Sequence, residues 1–155
     1  MGRCILKQLL KLFEYSPRSF FLMRQTVALF GEAEKGEISS LLFVKSLTHL
    51  NDMLGNPPDE SRGIFFAIQF LLYEQELIYI RVKEEGFSTK DYLKGMKHLL
   101  NKKKVSHLTA ICLPGVGDAR IIDSAGPVLD THEALMITTE RDLYDYLTSL
   151  QLPAI

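Results

Sequence analysis

Cysteine is nearly absent. The 155 residues hold only Cys4 and Cys112, one at the extreme amino terminus and the other inside an apolar run, so neither a disulfide framework nor a four-thiolate zinc site is available. That scarcity fits a reduced, cytoplasmic setting. No apolar run approaches the roughly 18 residues needed to span a bilayer, which leaves a soluble or at most peripheral protein. An excess of one charge is lacking too. Eighteen Lys plus Arg oppose nineteen Asp plus Glu, too even a balance for a protein that neutralises nucleic-acid phosphates, and no nucleic-acid partner is expected. The G-x-S-x-G, H-E-x-x-H and C-x-x-C signatures do not occur, nor does any internal repeat. What remains is an ordinary folded composition, 46% hydrophobic and 24% charged, in a length that supports one core.

Charge is nevertheless segregated along the chain. In residues 1–24, Arg3, Lys7, Lys11, Arg18 and Arg24 oppose only Glu14. Ile5, Leu6, Leu9, Leu10, Leu12 and Phe13 recur at helical spacing before Ser16-Pro17, which predicts a short basic amphipathic helix. Such a helix can dock on a membrane surface or a partner, with Lys7 and Lys11 as interface candidates, or cover an apolar patch of its own domain. A translated leader ahead of Met23 is a further reading.

Residues 26–150 read as a single α/β domain. Thr26 to Phe30 is a buried strand ended by Gly31, and Leu41 to Val44 a second short run. Ser46 caps a helix carrying Leu47, Leu50 and Leu54 on one face, closed by Gly55. Asp59 or Ser61 is placed to cap the next helix, whose Ile64, Phe65, Phe66, Ile68, Phe70, Leu71 and Leu72 wrap nearly all round and predict burial on more than one side. Leu77 to Val82 is a strand covered on both faces, followed by a helix from about Ser88 to Asn101 with Tyr92, Met96, Leu99 and Leu100 inward. His107 to Leu113 forms the next strand, Asp118 caps a helix ended by Gly126-Pro127, Ala134 to Ile137 is the last strand, and Thr139 with Asp142 opens the terminal helix. Alternating strands and helices predict a three-layer sandwich: a mostly parallel sheet of four to five strands with helices on both faces.

In such folds ligands bind beyond the carboxyl ends of the strands. There the candidates are Gly115, Gly117 and Asp118 as a cradle, Glu32 or Glu84 as base or metal ligand, and Thr139 as an auxiliary donor. The complete dinucleotide fingerprint fails, because Arg120 stands at the third glycine position. Gly31 and Gly36 lack the Lys and Ser/Thr of a phosphate loop, Glu37 and Ile38 standing there instead. Glu84, Glu85 and Asp118 would repel an anion. Cys112 invites a nucleophile reading, yet His107 on the same strand is roughly 16 Å away along the chain. His132 with Asp130 and Glu133 resembles a metal cluster but precedes the last strand, at the opposite edge. No catalytic set, resident metal or cofactor is expected. Arg81, the odd residue in an apolar strand, needs a carboxylate partner if buried, or reaches water or another subunit from a sheet edge.

The order of these motifs carries a resemblance. Val27-Ala28-Leu29-Phe30-Gly31 followed by Lys35-Gly36-Glu37, then Leu42-Phe43-Val44-Lys45-Ser46-Leu47 and Leu50 to Gly55, resembles the opening of tail sheath proteins of contractile phages and related injection devices. Ala67 to Leu72, Ile78-Tyr79-Ile80-Arg81-Val82, Leu108 to Gly115 and Ala134 to Thr138 continue the succession across about residues 26–150. The resemblance implies a phage-derived structural role, with subunits stacked by protein–protein contact and no catalytic residues. Sheath subunits are much longer and exchange terminal strand arms, which are not evident here. The expectation is thus a non-enzymatic assembly protein that self-associates or binds a protein partner. The alternatives are a small ligand-binding or enzymatic domain and a peripheral module held by residues 1–24.

Overall fold

A computed structural model describes residues 25–151. The basic segment with Cys4, Lys7 and Lys11 lies outside the described residues. Five strands, β1 (Thr26–Gly31), β2 (Leu42–Val44), β3 (Glu76–Arg81), β4 (Ala110–Cys112) and β5 (Leu135–Ile137), form one sheet in the order β2-β3-β1-β4-β5. The pairs β3·β1, β1·β4 and β4·β5 are parallel, and β2 alone runs antiparallel, against β3. Among the described residues five helices accompany them: α1 (Leu47–Leu54), α2 (Gly63–Leu72), α3 (Thr89–Leu100), α4 (Ala119–His132) and α5 (Glu140–Gln151). This is an α/β fold.

Strand alternation distributes the core. Ala28, Phe30, Ile78 and Ile80 pack with Tyr92, Met96 and Leu99 of α3 and with Ile121, Ile122, Ala125 and Leu129 of α4. Their neighbours Val27, Leu29, Leu77 and Tyr79 join Leu50 and Leu54 of α1 and Ile64, Ala67 and Phe70 of α2. Each buried Val, Leu, Ile, Phe or Met side chain among them contributes about 1.5–3 kcal/mol. Phe30 stacks on Tyr92 with ring centroids 5.3 Å apart, and Gly95 gives α3 room to approach Phe30 and Ile80.

Four local expectations are corrected. First, α2 is not enclosed: Phe65 and Leu72 are 56% and 64% exposed. Its buried residues, Gly63, Ile64, Ala67 and Phe70, make one stripe on the sheet while the apolar surplus faces outward. Second, neither Asp59 nor Ser61 caps α2; Arg62 stands at the N-cap and makes no side-chain capping bond. Third, α4 continues through Gly126-Pro127 to His132. Burial of Val128, Leu129 and His132 offsets the roughly 3 kcal/mol a proline costs inside a helix, and Glu133 in the left-handed region ends the helix instead. Fourth, Leu47 and Leu100 are exposed rather than inward. The strand read from His107 to Leu113 is ladder-paired only over Ala110–Cys112.

Candidate functional site

The chain passes from β1 to β3 on one side and then to β4 on the other, so the direction of winding reverses at β1. In open α/β sheets the crevice above that reversal is where ligands sit. Here it is built by Gly31, by the start of α2, and by the turns following β3 and β4.

Backbones meet at its floor. A Cβ on Gly31 would lie 2.7 Å from Gly63 Cα and 2.5 Å from the Tyr79 hydroxyl, so only glycine lets β1 pass beneath α2. The amino end of α2 presents unsatisfied N–H groups, and the group that satisfies them comes from this chain. Glu85 Oε1 accepts from Gly63 N at 2.8 Å, Ser61 Oγ at 2.9 Å and Glu32 N at 3.1 Å. Its Oε2 accepts from Arg62 N at 2.9 Å. Four converging donors around a helix amino end make an anion cradle, and a side-chain carboxylate fills it.

The surrounding groups are committed likewise. Tyr79 Oη donates to Glu32 O at 2.6 Å, and Gly86 N donates to Tyr92 Oη at 2.9 Å. Gly115 N donates to Asp142 Oδ2 at 3.0 Å, which ties the turn after β4 to α5. The turns after β3 and β4 touch where Gly86 faces the Gly115 carbonyl, with no space for a side chain between them. Burial, and then Glu85, push the Tyr79 hydroxyl well above its ordinary value; burial likewise dominates for Tyr92. Glu32 is raised by burial and then by Glu85. Cys112 is 2% exposed, and burial, with Glu85 and Asp142 adding to it, pushes its thiol up to about 12. Such a thiol stays protonated at neutral pH.

Of the residues anticipated at this edge, Asp118 and Thr139 hold bonds of the fold through their side chains, whereas among the described residues Glu32 and Glu84 are bonded through their backbones alone. Asp118 caps α4, accepting from Arg120 N at 2.8 Å and pairing with the Arg120 guanidinium at 3.2 Å; those hydrogen bonds hold its carboxyl below the ordinary range. Thr139 Oγ1 accepts from Asp142 N at 3.1 Å at the start of α5. Glu84 is exposed, its N–H bonded to Ser88 Oγ at 2.7 Å. Gly117 packs against Cβ of Asp145. Arg81 uses neither a carboxylate nor an edge: its guanidinium donates to the carbonyls of Ala33 and Gly36 and pins the loop after β1. His132 Nε2 bonds the Leu99 carbonyl at 2.7 Å, and among the described residues no group of three His, Cys, Asp or Glu is arranged for a metal.

Glu85 is the residue that sequence reasoning passed over as a site member. The available signal was no more than an acidic pair, Glu84-Glu85, in a strand-end turn. At the opposite edge of the sheet an open depression of about 660 Å³ is lined by Phe43, Lys45, Glu76, Lys104 and His107 among others. Among the described residues no helix is long and apolar enough to cross a membrane.

Fold and crevice together define an α/β domain in which the Glu85 carboxylate sits at the point where the sheet's winding reverses. No protein-family model matches the chain, and no significant match to a curated protein or a solved structure was found.

Proposed function

We propose that this protein works by protein–protein contact, as a non-enzymatic assembly or adaptor domain that self-associates. One observation carries the reading. The crevice where this class of fold takes its substrate is occupied by Glu85 on four donors of the same chain, so the cradle serves stability. The neighbouring acids Asp118 and Asp142 are bound to helix and turn N–H groups as well. Surface composition supports the reading: Phe65 and Leu72 stand outward on α2, and Phe87 is 77% exposed at the tip of the turn after β3. The motif order resembling tail sheath cores agrees with a contact-making role.

Sedimentation of the full chain over a wide concentration range tests it. The expected result is a rise in mean mass with concentration, reduced by Phe65→Ser with Leu72→Ser. A thermal-shift screen with nucleotides, inorganic phosphate and divalent cations is the counter-test: saturable stabilisation of the unmodified protein by any of them contradicts a self-filled crevice.

A further inference from the structure

Parallel strands give the domain two unlike ends. β1, β3, β4 and β5 run one way, so the turns leaving β1 and β3 and the turn before α2 gather at the carboxyl edge of the sheet. Lys45, after the antiparallel β2, and the turn between α3 and β4 lie at the amino edge. Charge follows this polarity. Lys45, Lys104 and His107 are exposed and line the open depression of about 660 Å³, whose lining holds one acid, Glu76. The exposed Lys102 and Lys103 adjoin it in the same turn. At the carboxyl edge Glu34, Asp59, Glu60 and Glu84 are exposed, with Lys35, Arg62 and Lys83 as the cations beside them. Among the described residues the ion pair formed is that of Asp118 with Arg120, so neither the lysines nor these four acids are neutralised there. The acidic edge is also held in place. Arg81 pins the loop after β1 through the Ala33 and Gly36 carbonyls, and Glu34 Oε2 accepts from Asn56 N at 2.6 Å, which ties that loop to the turn bearing Asp59 and Glu60.

We propose that the basic depression receives the acidic carboxyl edge of a second copy, with Glu34, Asp59, Glu60 and Glu84 of one copy facing Lys45 and the Lys102–Lys104 turn of the next. The inference rests on the self-association reading and names the surfaces that meet. Charge selects this occupant. Residues 1–24 of the chain hold one acid, Glu14, against Arg3, Lys7, Lys11, Arg18 and Arg24, the wrong sign for a basic depression. Because opposite ends of one molecule meet, the contact is heterologous, and it propagates as an open stack or closes as a ring instead of stopping at a pair. Phe43, 49% exposed in the lining, adds apolar area to be covered. Exposed ion pairs are individually weak, so several must act together, and the pinned acidic loops lose little freedom on docking.

Charge reversal at each end of the full chain tests it. One variant carries Lys45→Glu, Lys103→Glu and Lys104→Glu, the other Asp59→Lys, Glu60→Lys and Glu84→Lys; all six positions are exposed, and thermal melts check that both variants fold. Each variant alone sets like charges against each other, and its association constant in sedimentation should fall at least roughly tenfold. Mixed in equal amounts, the two present complementary ends again and should return to within about threefold of the unmodified chain. Salt supplies a measurement that needs no variant. Raising sodium chloride from about 0.05 M to about 0.5 M should weaken association of the unmodified chain by roughly tenfold. An unmodified chain that stays a single copy throughout overturns this proposal and the self-association reading together. Association that withstands both the salt and the two variants leaves that reading standing and overturns the end-to-end contact. Loss in only one variant, or in both without recovery on mixing, overturns it as well.

Discussion

Glu85→Ala removes the acceptor shared by four donors and is the most informative single change. Three of those donors are backbone N–H groups, of Glu32, Arg62 and Gly63, and the fourth is the Ser61 hydroxyl. Hydrogen bonds to a charged group contribute about 1.5–3 kcal/mol each when the partner is left bare, but water can enter the space vacated by a half-buried side chain and replace part of that. The favourable charge at the amino end of α2 adds about 0.3–1 kcal/mol. The net expectation is a loss of about 2–4 kcal/mol in urea unfolding, or a fall in melting temperature of roughly 10 °C. Glu85→Gln keeps the shape yet turns an N–H₂ toward donors, and should cost about 1–2 kcal/mol. Once the carboxylate is gone the cradle is vacant, and millimolar phosphate or sulfate should recover up to about 2–3 kcal/mol in Glu85→Ala while leaving the unmodified protein almost unchanged. A loss below about 0.5 kcal/mol, or equal stabilisation of both proteins by phosphate, would refute the argument.

Cys112 and Tyr146 are both pushed up to about 12, Cys112 chiefly by burial and Tyr146 by burial and then its bond to Asp123. Each holds its proton more tightly folded than unfolded, so their contribution is complete below about pH 9 and is lost as pH rises toward 12; Cys112→Ala should flatten the fall in unfolding free energy across that window, measured by urea titration at stepped pH. Gly31→Ala drives a methyl onto Gly63 Cα and should cost more than about 3 kcal/mol or prevent folding, read from soluble yield and thermal melts. Pro127→Ala restores a donor inside α4 and should stabilise by about 1–3 kcal/mol in the same melts, since the proline is exposed and makes its helix tolerate a missing bond. Arg81→Met frees the Ala33 and Gly36 carbonyls, and hydrogen exchange should quicken at Lys35 and Ser39, whose N–H groups bond Leu54 O and Arg81 O.

Period and punctuation made the central features legible. Val27 to Phe30 and Leu77 to Ile80 are continuous apolar runs because both are flanked by strands and covered on both faces. Ser46 and Asp118 cap the helices they were assigned. What escaped depends on long-range partners. The acceptor at the start of α2 lies 22 residues further on, in Glu85, where no local pattern reveals it. Pro127 looks like a stop until the burial of Val128, Leu129 and His132 beyond it is known. The apolar wrap of α2 reads as deep burial, whereas Phe65 and Leu72 face outward. At the candidate site the residue types at the strand ends were legible, and so was the capping by Asp118 and Thr139, but not that Glu85 would accept from Glu32, Arg62 and Gly63 N–H or Asp142 from Gly115 N–H.

The mass of the full chain in solution tests most directly the proposal that this protein works by contact. Sedimentation equilibrium from micromolar to millimolar protein should show reversible growth beyond one copy, weakened by Phe65→Ser with Leu72→Ser. A single 17.6 kDa species at every concentration would contradict it.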